Sequence, residues 1–242
     1  MALRSDGLRT KKRVLSTCAR LFLENGYHST TMQQISRSAG ASISSIFNLF
    51  HSKEGILLEL VQVMFEKQFG AARDTAGSDL PPVYIYAVET AIQLGVIEQN
   101  ENLRDIYLEA YTGQQTLGYI QRTTAVEIQG IFGSYQPELT AADFLALEYC
   151  TAGIMRGCMA NRCTESLTLE KKLSTFLRAS LRVYRVPEDE VQRVVDYVLS
   201  LDIRALARQV MQTLFHALSE QFNFSLSGIL PEEAGNDDDE EY

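Results

Sequence analysis

Apolar positions recur along this chain with the 3.6-residue period of amphipathic helices, from its first segments to its last. Thr10 can cap a helix running to about Glu24, on which Val14, Leu15, Cys18, Leu21 and Phe22 share one face. Asn25-Gly26 supplies a stop. Thr30, followed three residues on by Gln33, has the capping-box pattern and predicts a second helix from near Thr31, ended by Gly40. Ser42 can cap a third short helix, Ile43–Phe50, and Ser52 a longer fourth one, from Lys53 to about Asp74. The stretch 74–82 (DTAGSDLPP) is a loop and the best domain boundary. Beyond it, Gly, Pro and Thr punctuation separates helices near 83–98, 102–113, 116–133, 141–161, 169–185, 187–200 and 203–221. No alternating strand pattern of useful length and no repeat of solenoid period is present, so the fold predicted is all-α.

The informative segment is TTMQQISRSAGASISSIFNLFHSK, residues 30–53. Two short helices meet at the tight turn Ala39-Gly40-Ala41, the spacing of a helix-turn-helix whose second helix enters the major groove. At about 100° per residue, Ile43, Ile46, Phe47 and Phe50 cluster as a packing face. Ser44, Ser45 and Asn48 point away from it, and their short polar groups suit close approach to base edges.

Charge sharpens this picture. The net charge is −9, but residues 1–60 carry eight Lys/Arg against four acids, while residues 231–242 hold seven acids and no base. A basic head on an acidic chain remains free to meet a polyanion, because screening at about 0.1 M salt cuts off charges beyond roughly 10 Å. The run Arg9, Lys11, Lys12, Arg13 is a candidate for DNA-backbone contact, against a plain solvated run ahead of a helix. The apolar fraction of 45% fits a globular chain. No apolar run reaches membrane-spanning length and residues 1–10 lack a secretory core, so a cytoplasmic protein with no membrane partner is expected.

From about Arg9 to Leu58 the chain resembles the tetracycline-repressor (TetR) family of bacterial regulators. The elements that carry the resemblance are VLSTCARLFLENGYHSTTMQQIS, AGASISSIFNLF and HSKEGIL. The resemblance implies a three-helix amino-terminal helix-turn-helix domain and a carboxy-terminal helical ligand-binding and dimerisation domain. It implies DNA contacts from Thr31 and Gln33, from Ser42, Ile43, Ser44, Ser45, Phe47, Asn48 and Leu49 on the recognition helix, and from Lys53 to phosphate. His51 joins this set, with a solvated turn histidine as the alternative. Three departures stand out: Phe47 where the family usually has Tyr, Ile43 where a polar residue is common, and His51 in place of Pro or a polar residue. The organisation expected is 1–60 as the DNA-binding domain, with a connecting helix to about 74, 75–221 as the ligand-binding and dimerisation domain, and 222–242 as an acidic disordered tail.

Two recognition helices about 34–36 Å apart require a two-fold dimer. The helices near 141–161 and 169–185 are the expected interface, the first because Gly153 and Gly157 permit close approach. An effector cavity in the aromatic-rich body is implied, with Phe65, Phe69, Tyr84, Tyr107, Tyr111 and Met155 as candidate lining residues. Carboxylates on the helices read as solvated faces. The histidines 28, 51 and 216 are scattered and the four cysteines lack zinc-finger spacing, so neither metal nor cofactor is expected. Common enzyme motifs are absent. The function expected is a ligand-released repressor binding a palindromic double-stranded DNA operator as a homodimer, with an unknown small-molecule effector. The alternative is a helical nucleoid-associated or protein-interaction factor that keeps the DNA-binding head.

Overall fold

The residues that can cap helices set the element boundaries. The computed structural model describes residues 5–76 and 80–222, with side chains described for 6–64 and 80–213. Every helix that periodicity predicts is present, and no strand occurs among the described residues. The head consists of α1 (Ser5–Asn25), α2 (Met32–Ala39) and α3 (Ile43–Phe50), followed by the long α4 (Lys53–Ala76). The body consists of α5 (Pro82–Ile97), α6 (Glu101–Ala110), α7 (Gln114–Phe132), α8 (Ala141–Ala160), α9 (Leu169–Val183), α10 (Glu188–Ser200) and α11 (Ile203–Phe222). The tail expected over 222–242 lies, from residue 223 on, outside the described residues.

Two boundaries differ from expectation. α1 begins at Ser5 rather than beyond Thr10, so the Arg9–Arg13 run lies within a helix. The capping box of α2 is Thr31 with Gln34, not Thr30 with Gln33: Thr31 Oγ1 accepts from the Gln34 N–H, and the Gln34 carboxamide accepts from the Thr31 N–H at 2.7 Å. Thr30 is buried instead, and its hydroxyl lies 2.8 Å from the Gly26 carbonyl and 3.2 Å from that of Leu21. It closes the α1–α2 loop rather than opening the helix. Elsewhere Ser42, Thr140 and Thr168 cap α3, α8 and α9 through their hydroxyls, each satisfying an otherwise unpaired helix-end N–H.

The apolar face read on α1 is buried as expected: Val14, Leu15, Cys18, Leu21 and Phe22 pack with Ile35, Ile46 and Phe50 to close the head. α5 is buried on all sides from Tyr86 to Ile97 and forms the axis of the body, with α4, α10 and α11 packed on it. α7 and α8 pair closely, as do α9 and α10. At the carboxy end of α5, Glu98 receives Lys172 at 2.5 Å and Arg104 at 2.9 Å. Burial pushes the Glu98 carboxyl up, but these hydrogen bonds outweigh it and hold the group below the usual carboxylate range.

Candidate nucleic-acid interface and effector cavity

The helix-turn-helix rests on one residue geometry at its turn. Gly40 adopts φ 56°, a left-handed conformation that costs glycine little, and its N–H returns to the Ser36 and Arg37 carbonyls. This reverses the chain so that Ser42 can start α3. Ile46 (0% exposed) and Phe50 (4%) anchor α3 to the head. Ile43 (45% exposed) and Phe47 (57%) project outward with Ser44, Ser45 and Asn48. The helical wheel therefore drew the packing face too wide. A helix of two turns, held at its two buried positions 46 and 50, turns 43 and 47 to its flank. The exposed face of α3 combines two apolar side chains with hydroxyl and amide groups. Ser42 Oγ, 2.8 Å from Ser45 Oγ and 3.0 Å from Ser44 Oγ, ties the hydroxyls into a cluster at the helix amino terminus.

The remaining candidates surround this face. Thr31 and Gln33 are exposed at the start of α2, and Leu49 is half-buried. His51 ends α3 in a left-handed conformation, φ 62°, with its ring edge-on to Phe47. Lys53 turns back into the head. Its ammonium donates to the carbonyls of Tyr27 at 2.8 Å and Thr30 at 3.0 Å and lies 4.1 Å above the Tyr27 ring centre. Burial lowers its pKa. The amino-terminal basic run is also largely engaged: Arg9 with Asp6, Lys11 with Glu59, and Arg13 with the Gly40 carbonyl.

Head and body meet along α6. Asn102 donates to the Leu23 and Glu24 carbonyls at the end of α1, and the Asp105 carboxylate accepts from the His28 N–H at 3.2 Å. Farther on, Glu54 at the start of α4 accepts from the Gln115 N–H at 2.7 Å.

Inside the body a narrow cleft, partly open to solvent, runs between α5, α7, α8 and α9. Tyr111 and Met155 line it, as expected. Tyr107 lines a smaller apolar cleft beside α4, which shares Tyr111. Tyr84 lies apart from both, edge-on to the ring of Tyr197. The side chains of Phe65 and Phe69 lie outside the described residues. The reading of helix carboxylates as solvated faces fails here: Glu89 (8% exposed) and Glu148 (4%) are buried and line the larger cleft with Glu127. Thr151 donates to Glu148 at 3.0 Å, and Tyr184 Oη lies 2.7 Å from Thr151 Oγ1. Burial pushes the Glu148 carboxyl up to about 7. The signal for Glu89 was available: it is the one charged residue in the largely apolar run VYIYAVETAIQLGVI, where a solvated face has little room.

On α8 an outward stripe of Ala142, Ala146, Tyr149, Cys150, Gly153 and Gly157 is exposed, and a Cβ at either glycine would meet nothing within 4 Å. The exposed face of α9 is polar, and Arg182 pairs there with Glu188. Among the described residues no group of three or more potential ligands could hold a metal ion, and no helix is long and apolar enough to cross a membrane.

A tight-turn helix pair with an exposed second helix, set on an all-helical body, defines the helix-turn-helix class. Residues 14–60 match the family model described as bacterial regulatory proteins, tetR family. Over 59 residues the chain is 32% identical to the uncharacterized HTH-type transcriptional regulator YuxN of Bacillus subtilis (strain 168). That match covers 24% of this chain and only a fifth, 20%, of the relative's length. In the head, residues 14–60, the chain is therefore similar to bacterial regulatory proteins of the tetR family. Among solved structures, it is similar to a gamma-butyrolactone receptor (ArpA-like protein), at 15% identity and TM-score 0.46 over 86% of this chain and 99% of that one. It is also similar to a TetR-like transcriptional regulator from Rhodococcus sp. RHA1, at 16% identity and TM-score 0.39 over 88% and 99%.

Proposed function

We propose that this regulator is a repressor that binds a palindromic operator as a homodimer in the cytoplasm and leaves it when a small molecule occupies the body. Residues 1–60 act as the DNA-binding unit, 75–221 as the ligand-binding and dimerisation unit, and α4 joins them. The observation that carries the reading is the outward face of α3: apolar and short polar side chains stand exposed together on a helix anchored by Ile46 and Phe50. Ile43 and Phe47 suit thymine methyl groups, and Asn48 suits the paired donor and acceptor of adenine. The small-residue stripe of α8 supports a close two-fold contact that spaces two such helices by one turn of DNA.

The release mechanism follows from α6. One side of this helix holds the end of α1 through Asn102 and the loop that follows it, at His28, through Asp105. Tyr107 and Tyr111, at its other end, line the body's clefts. A ligand that moves Tyr111 therefore acts on the element that fixes the head. Weakening operator binding 10–100-fold requires about 1.4–2.8 kcal/mol of coupling. Footprinting on the DNA flanking the protein's own gene tests the reading. The expected result is a protected, two-fold symmetric site at moderate salt. Uniform, salt-steep protection of any duplex would instead identify a nucleoid-type factor.

A further inference from the structure

We propose that His28 is a proton-operated clasp between head and body: as an imidazolium it binds both Asp105 and Glu109 of α6, and on losing its proton it releases them. What the clasp means for operator release rests on the reading of this chain as a regulator; the clasp itself does not.

His28 follows the tight turn at Gly26 and stands in the α1–α2 loop, where the head meets α6. Asp105 and Glu109 are four residues apart on α6, so one helical turn sets both carboxylates on the same side. The imidazole Nε2 lies 3.4 Å from Asp105 Oδ1 and 3.4 Å from Glu109 Oε2. Through its other oxygen Asp105 also accepts from the His28 backbone N–H, at 3.2 Å. The ring stands edge-on to Tyr27, with 5.5 Å between centres, which limits its rotation.

Like charges one turn apart repel. A nitrogen between them offsets that repulsion only when its ring is charged, because a neutral imidazole has at most one hydrogen on Nε2 and no net charge. The other ionisable groups around the site are Tyr27 in the loop and Lys53 and Glu54 at the start of α4. Burial pushes the Tyr27 phenol up, and Glu109, Glu54 and Asp105 push it further. Lys53 feels Glu109 and Asp105 as well, but its ammonium donates to the Tyr27 and Thr30 carbonyls. His28 touches both α6 carboxylates, and histidine is the side chain whose charge ordinarily changes between pH 5 and 8. Its side chain is 68% exposed, so bulk protons reach it, while Asp105 and Glu109 are 29% and 20% exposed and less screened than solvated partners. The ion pairs therefore hold in acid and are lost as pH rises through the histidine range. Asn102 still holds α1, so the proton adjusts the grip of the body on the head rather than making it. On the regulator reading, a proton acts at the same contact that an effector has to move.

Hydrogen exchange on the full chain without DNA, in low salt, tests this. The readout is the exchange of the α1–α2 loop amides, whose own sequence Glu109→Gln leaves untouched. At about pH 5.5, above the ordinary carboxylate range, Glu109→Gln is expected to speed that exchange about two- to fivefold more in the parent than in a His28→Gln background, the size of a partly exposed ion pair. At about pH 8 the two backgrounds should respond alike, within about 1.5-fold. The His28→Gln background carries whatever Glu109 does through Lys53, and comparison at one pH cancels the titration of Glu148. Asp105→Asn, which keeps an oxygen for the His28 N–H, is expected to repeat the result and covers the case in which Glu109→Gln does not fold. An equal excess at both pH values, an excess confined to pH 8, or none at either overturns the proposal. A chain that shows the excess but protects no operator refutes only the regulator reading, and one that protects an operator without the excess refutes only the clasp.

Discussion

Asn102 donates from Nδ2 to the Leu23 carbonyl at 2.8 Å, so a side chain of the body closes the carboxy end of the head's first helix. The contact is possible because the next turn is tight. Gly26 has φ 83°, and a Cβ there would come within 3.2 Å of both Asn102 Oδ1 and Asp105 Oδ2. Asn102→Ala removes the donor to two carbonyls of α1 and is expected to lower stability by about 1–2 kcal/mol. A chain of this size then melts about 2–8 °C lower. If α6 transmits the ligand signal, the variant also keeps operator affinity when ligand is bound. Gel shifts with and without ligand check this, and full ligand release in Asn102→Ala would remove α6 from the mechanism.

The head and the helix order were legible in the sequence because caps and periodicity are local signals: Ser42, Ser52 and Thr140 each begin a helix where expected. What was not legible depended on distant packing. Ile43 and Phe47 look like core residues by composition, and only the seating of Ile46 and Phe50 against α1 and α2 turns them outward. Lys53 reads as a phosphate ligand by position, yet its reach to Tyr27 and Thr30 depends on how the α1–α2 loop closes. Tyr84 and Tyr111 are both body tyrosines, and the approach of α10 or of α8 decides which one faces a cleft.

Glu148 makes stability depend on pH. Its carboxyl is raised by burial to about 7 in the folded chain, against 4.5 for the ordinary group. The groups facing it are Glu89 and Tyr86 from α5, Tyr111, Glu127 from α7 and Tyr184, none of them basic. Between the two pKa values the folded chain holds the extra proton, so this group's contribution falls as pH rises through the window and is least favourable above about 7. Glu148→Gln is expected to leave the melting temperature near the parent's at about pH 4.5. At about pH 8 it should raise stability by up to roughly 3 kcal/mol. Parallel melting curves for the two proteins across that range would contradict the assignment.

Gly153 sits on the exposed stripe of α8 with open space where its side chain would be. Gly153→Arg therefore fits the isolated chain, and helical propensity even favours it by up to about 1 kcal/mol. On a close two-fold contact the same side chain blocks approach and sets like charges together. Unchanged circular dichroism with a halved mass in sedimentation is the expected result, accompanied by loss of operator affinity. A variant that remains a dimer moves the interface away from this face of α8.

Lys53→Met separates two roles. Loss of the ammonium removes hydrogen bonds to Tyr27 and Thr30, an expected cost of about 2 kcal/mol visible in the melt without DNA. An ammonium has three donors, and a phosphate at the start of α4 would take the third. In that case Lys53→Met also weakens every duplex alike and flattens the dependence of log affinity on log salt by about one. A lower melting temperature with an unchanged salt slope would make Lys53 purely a clamp on the α1–α2 loop.

The outward pair Phe47 and Asn48 separates affinity from sequence preference. Phe47 is the most exposed aromatic ring on α3, and it carries no hydroxyl. Phe47→Tyr adds one neutral donor within reach of the backbone of a duplex lying on this face. It should tighten all duplexes about 2–10-fold, with no change in salt slope, because one hydrogen bond contributes about 0.5–1.5 kcal/mol and releases no counterion. Asn48→Ala should act in the opposite sense and at one place: about 1–3 kcal/mol of discrimination lost at a single base position in each half-site, with other positions unaffected. Affinity measured across a library of singly substituted operators reads both effects at once. A uniform loss in Asn48→Ala, or a position-specific gain in Phe47→Tyr, would mean that α3 lies on the DNA with the other flank facing the bases.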